Sequence, residues 1–172
     1  RTTLTAEYIY QYSKMSNVGS YYLFDTRGYA TLPRDYTFAE RGLDPTTIND
    51  HNLTVNIQHQ INSDWKITAQ GSYFNYQQVG SSMWVNSVNP NGDIIRNVSI
   101  WDASNIMKFG QVYVNGTAQT GGIQHRVLAG LDLGNKEYMA DWNQAFDLDT
   151  AGSFNIYNPN RGLPVNGFPT FD

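Results

Sequence analysis

Hydrophobic and polar positions alternate with a period of two over several long stretches of this chain, most cleanly in a hairpin from Asn49 to Gln78. On its first arm Leu53, Val55, Ile57, His59 and Ile61 fall on one side, and Asn52, Thr54, Asn56, Gln58 and Gln60 on the other. Successive side chains of a strand point to opposite faces, so the pattern predicts a strand with one apolar face. The chain turns at Asn62-Ser63-Asp64, and the return arm sets Trp65, Ile67, Ala69, Gly71 and Tyr73 against Lys66, Thr68, Gln70 and Ser72.

The same alternation predicts a first strand over Thr2–Lys14, with Leu4, Ala6, Tyr8, Tyr10 and Tyr12 on its apolar side. From Met15 to Asn49 the pattern dissolves among Gly19, Gly28, Pro33, Gly42 and Pro45, which predicts a long loop, and connections of that length are typically functional. Alternation fades again beyond Gln78, so a second long loop is expected through an Asn89-Pro90-Asn91-Gly92 turn, with a strand resuming between Ile100 and Lys108. Gly110, Val112, Val114, Gly116 and Ala118 then oppose Gln111, Asn115, Thr117 and Gln119, a polar set that Tyr113 interrupts, up to a tight turn at Thr120-Gly121-Gly122. A fifth strand, Ile123 to Trp142, puts Ile123, His125, Val127, Ala129, Leu131 and Leu133 on the apolar face and Gln124, Arg126, Gly130 and Asp132 on the other, with Leu128 among the latter. Asn143 to Asp172 carries no period and predicts a third long loop.

Short turns at one end and long loops at the other are the asymmetry of an up-and-down outer-membrane barrel. The polar face is mostly Asn, Thr, Gln and Ser, which suits a hydrated lumen. A tilted membrane-crossing strand needs about 9–11 residues, whereas ordinary strands average about 5–6, so arms of this length favour lipid. The expected fold is all-β: antiparallel strands of a transmembrane barrel, incomplete, with about five strands where the smallest barrels have about eight. Because the chain begins at Arg1, without Met and already in a strand, an excerpt of a longer chain is expected.

Composition adds to this. Aromatic residues make up 14%, with Tyr (12) ahead of Phe (8) and Trp (4), a bias that suits interfacial girdles. Charged residues are 15% and Cys is absent, as fits a periplasmic route. A net charge of -4 and a pI near 5.2 leave no basic footprint for nucleic acid. No apolar run approaches the roughly 20 residues of a membrane helix. The mean hydropathy of -0.48 does not argue against a barrel, in which half of each strand faces water.

Five segments carry a family resemblance: LTAEYIYQY, YYLFDTRGYATLPRDYTFAERG, LTVNIQHQINSDWKITAQGSY, GGIQHRVLAGLDL and FNIYNPNRG. In these the chain resembles the barrel region of TonB-dependent outer-membrane receptors, specifically the ferrichrome-type siderophore branch. Arg161, where that branch usually has an aromatic residue, and Leu133, where it often has Tyr, depart from the pattern. The resemblance implies that residues 1–172 are part of a barrel of about 22 strands occluded by a plug. It further implies uptake of an Fe(III)-siderophore complex across the outer membrane of a Gram-negative bacterium. Outer-membrane lipid would surround the barrel, and the TonB complex would act through a plug region that is not present here. The same architecture could carry a glycan or a cobalamin instead. A soluble all-β carbohydrate-binding module is the alternative of a different class.

No nucleophile elbow, zinc-protease motif or phosphate-binding loop is present, so a transporter rather than an enzyme is expected. Of His51, His59 and His125, which could suggest a metal, His59 and His125 fall near short turns on the outward face, where an amphipathic ring suits a lipid interface. Asp147, Asp149 and Gly152 are similar to the opening of a calcium loop, but Ala151 stands at a ligand position and no bidentate Glu follows. No resident metal is expected. The candidate ligand-binding residues are aromatics: Tyr22, Phe24 and Tyr29 in the first loop, Trp84 and Trp101 around the second, and Trp142 and Tyr157 in the third. Aromatic faces with a few polar groups suit a bulky, partly apolar chelate. Trp84, beside the small residues Gly80, Ser81 and Ser82, is the first choice.

Overall fold

The computed structural model describes residues 1–16, 25–161, 168 and 170. Strands β1 (Thr2–Met15), β2 (Thr46–Gln60), β3 (Trp65–Val88), β4 (Asp93–Thr120) and β5 (Ile123–Asp141) lie in that order in one antiparallel sheet. Two short strands, β6 (Ala145–Asp147) and β7 (Phe154–Asn155), pair with β4. Among the described residues there is no helix, and the sheet is open. The predicted all-β, up-and-down order is therefore observed.

Local chemistry makes the turns. Asn62 Oδ1 accepts from the amides of Asp64 and Trp65, both at 2.9 Å, holding the β2–β3 reversal as an Asx-type turn. Gly92 (φ +92°) donates its amide to the Asn89 carbonyl at 2.9 Å, closing the β3–β4 reversal. Gly121 (φ +58°) occupies the turn between β4 and β5, in a conformation that other residues rarely adopt.

One prediction is corrected here. The stretch after Gln78 is no long loop: β3 continues to Val88 and β4 begins at Asp93, leaving only Asn89–Gly92 between them. Two physical effects hide the strands. Gly80 to Met83 are all buried, so consecutive positions lose the contrast between faces on which periodicity depends. On β4 the buried set Ile94, Arg96 and Val98 does alternate, but a charged residue stands in its middle. Gly80 marks a close approach rather than a turn, since a Cβ there would lie 2.3 Å from Thr46 Cα. Trp84 and Trp101 consequently stand on strands. The third loop is also partly ordered into β6 and β7.

The chain divides into two compact units. The first contains Arg1–Tyr12, Asn49–Gln77 and Ser104–Met139. Its cross-strand contacts give each strand the sidedness expected from the sequence. On the apolar face Tyr8 Oη lies 2.7 Å from His51 Nδ1, and Thr2 Oγ1 lies 2.8 Å from His59 Nδ1. On the polar face Thr54 and Ser72 hydroxyls meet at 3.2 Å. Tyr113, on the polar face, packs against Gly130, where an added Cβ would lie 2.5 Å from Tyr113 Cβ, a pairing that fills the space over the glycine. This unit holds none of the buried apolar cluster; Leu4, Tyr8, Tyr10, Ile57, Ile123, Leu131 and Leu133 are all exposed.

The second unit contains Ser13–Ile48, Gln78–Ala103 and Ala140–Asp172. It has a core of Phe38, Met83, Ile94, Val98, Leu148, Phe154 and Ile156. Here the segments flanking the β3–β4 hairpin return to cover one of its faces.

Candidate functional site

The residues of interest in the second unit lie on β3, β4 and the segment after β5. Side chains two apart share a face of a strand. Ser82 and Trp84 of β3 therefore share a face with Ser99 and Trp101 of β4, opposite the core residues Met83 and Val98. With Ile100 and Trp142 they line a pocket of about 240 Å³. The Trp101 and Trp142 rings meet edge to face, their centroids 6.2 Å apart and their planes at 84°. Trp84 Nε1 donates to Ser82 Oγ at 2.9 Å, and Ser82 Oγ lies 2.9 Å from Ser99 Oγ. Three of the predicted residues, Trp84, Trp101 and Trp142, thus converge on one pocket.

Next to this row stand three polar side chains. Asn86 and Asn97 both donate to Asp147 Oδ1, at 3.1 and 3.0 Å. The β4–β6 register pairs Asn97 with Asp147 and Ser99 with Ala145, which puts the carboxylate on the tryptophan-bearing face. The arrangement can hold a small ring between indole walls, with hydroxyls, amides and one carboxylate at hand.

The other predicted residues stand elsewhere. Tyr22 and Phe24 lie outside the described residues. Tyr29 is fully exposed and packs on nothing. Tyr157 is a tie between segments: its hydroxyl donates to Asp25 Oδ1 at 2.7 Å, its ring lies 3.5 Å beneath the Arg27 guanidinium, and it fills the space over Gly92. Among the described residues no three His, Asp or Glu side chains converge as metal ligands. Asp147 and Asp149 point to different partners.

Asp149 belongs to a group that periodicity did not single out. Arg96 is 1% exposed; its Nε and Nη2 donate to the two oxygens of Asp149 at 2.7 and 2.8 Å. Its Nη1 donates to Glu40 Oε1 at 2.7 Å and to the Phe38 carbonyl at 3.1 Å. Burial by itself would lower the Arg96 pKa, but the hydrogen bonds to Asp149 and Glu40 outweigh it and the net shift is upward. The available signal was an Arg alternating with Ile94 and Val98, which is the pattern of an inward charge that needs a buried partner.

Asp25 accepts from the Arg27 amide at 2.8 Å and from Arg27 Nη2 at 3.0 Å, and also from the Thr31 hydroxyl. The Arg27 guanidinium, with these other donors, holds its carboxyl far below the usual carboxylate range against the opposing effect of desolvation. A carboxyl whose folded pKa is depressed contributes stability above its unfolded pKa, about 3.9, and loses it as pH falls from there toward the folded value. Hydrogen-exchange protection of the Arg27 amide, corrected for intrinsic rates, should therefore decline below about pH 4. In Asp25→Asn that decline should disappear; an unchanged acid profile in this variant would show that other carboxyls cause it.

Compared with known proteins, the chain matches no protein-family model, no curated protein and no solved structure.

Proposed function

We propose that this chain forms part of an outer-membrane β-barrel receptor that takes up ferric siderophores by TonB-dependent active transport. The observation that carries the reading is the apolar face of the first unit. A sheet in a water-soluble domain buries its apolar face against another layer. Here the rows from Leu53 to Ile61 and from Ile123 to Leu133 hold no Asp, Glu, Lys or Arg at their apolar-face positions. No described segment buries an apolar cluster against them. Their length, about ten residues per strand, suits a tilted crossing of the hydrocarbon core. The opposite face, with Thr54, Gln70, Ser72, Gln111 and Asp132, suits a hydrated lumen. Lipid would then take the place of the missing layer.

The cargo and its energy source come from the family resemblance: an Fe(III)-siderophore is captured from outside, and the TonB complex acts on a plug region outside this sequence. In this reading the protein is a transporter and performs no covalent chemistry. The soluble carbohydrate-binding module is disfavoured by the same exposed apolar rows, which would drive aggregation in water.

Fractionating cells that express the full-length protein tests the proposal. The protein should sit in the outer membrane, resist an alkaline carbonate wash, and be required for growth on a ferric siderophore as sole iron source in a TonB-dependent manner. Recovery as a soluble monomer would remove the membrane reading. Membrane residence without any effect on iron uptake would remove the siderophore alone.

A further inference from the structure

We infer that the tryptophan pocket is a saccharide subsite that takes a neutral pyranose ring of an oligosaccharide. The inference goes beyond the proposed function and assigns this pocket a ligand other than the chelate. Size comes first. At about 240 Å³ the pocket falls below the roughly 300–1,000 Å³ of sites that enclose drug-sized ligands, so it holds one ring and not a whole chelate.

The walls select the kind of ring. Trp101 and Trp142 meet at 84°, so one indole can present its face to a ligand seated against the edge of the other. Indole faces are negative, and a pyranose turns a patch of C–H bonds with partial positive charge toward such a face. A hydroxyl-bearing ring also needs directional partners. Ser82 accepts from Trp84 and shares one further hydrogen bond with Ser99; whichever serine donates in that bond, one O–H and two lone pairs remain.

Electrostatics narrow the class further. Among the described residues no Lys or Arg lines the pocket, and the Asp147 carboxylate stands one row along the same face, about 7 Å on. A polyanionic ligand would bring negative charge against indole faces and a carboxylate with no cation in the walls to offset it. Neutral hydroxyls suit the same groups, since a carboxylate is a strong acceptor for O–H donors.

The test titrates the full-length protein in detergent with maltohexaose, cellohexaose and chitohexaose while following tryptophan emission. Three of the chain's four tryptophans line the pocket, so occupancy reports itself. At least one sugar should shift or quench the emission at sub-millimolar concentration. Trp142→Ala, at an exposed position, should weaken that binding roughly tenfold, while Trp65→Phe leaves it unchanged. No response to any of the three sugars at millimolar concentration, or undiminished binding in Trp142→Ala, would overturn the inference. The two readings also fail separately. An outer-membrane protein that imports the ferric chelate and ignores the sugars keeps the receptor and loses the saccharide subsite; a soluble protein that binds a sugar through Trp142 does the reverse.

Discussion

Replacing Arg96 by Ala should destabilise the second unit by about 3–5 kcal/mol, the cost of removing one partner from a buried ion pair. Arg96 is 1% exposed, and the side chains of Glu40 and Asp149 are each 2% exposed where they meet it. In the variant two carboxylates would stand buried without their counter-ion. The Phe38 carbonyl would lose a donor, and the Phe154 ring would lose a guanidinium now 3.9 Å from its centroid. Arg96 touches a residue before β2 and one after β6, so it joins two stretches of chain to β4. Amide exchange should rise around residues 38–40 and 148–156 together, because one side chain holds both. Replacing Arg96, Glu40 and Asp149 simultaneously by apolar residues of similar volume should cost much less than the single change, since no charge is then left unpaired. Unchanged protection in Arg96→Ala would mean that the apolar cluster alone holds these segments.

Val127→Lys should cost about 2–4 kcal/mol in a bilayer, as for a lysine on the lipid face near the midplane of a barrel. Val127 lies midway along the apolar row from Ile123 to Leu133 of β5 and is 37% exposed in the isolated chain. Gln111→Lys on the polar face of β4 should be nearly neutral, because an ammonium facing the lumen of the proposed barrel would stay hydrated. Equilibrium unfolding of the full-length protein from lipid vesicles measures both. The sign carries the information: on a water-exposed surface the same lysine at Val127 would be neutral and would improve solubility. Equal stability of Val127→Lys and the parent protein in vesicles therefore removes lipid as the covering layer.

Much of the first unit was legible in the sequence, and particular residues show why. The side-chain period of a strand is local, so Leu53-Val55-Ile57 against Thr54-Asn56-Gln58 fixes two faces without knowledge of any neighbour. Asn62 forms its turn with amides two and three residues on, and Gly121 supplies a conformation that a single residue dictates. The same local rule misread the stretch after Gln78. Gly80, Ser81 and Ser82 have the composition of a loop, yet their small size serves the approach of Thr46.

The pocket and the buried triad depended on the tertiary structure. Trp84, Trp101 and Trp142 were each plausible from sequence, but their meeting depends on the register of β3 with β4 and on the return of the chain after β5. Arg96 finds Asp149 and Glu40 at separations of 53 and 56 residues, which no short-range pattern encodes. Which face is apolar is written residue by residue along a strand. Which side chains meet across that face follows from long-range pairing, set by the free energy of the whole sheet and the segments packed on it.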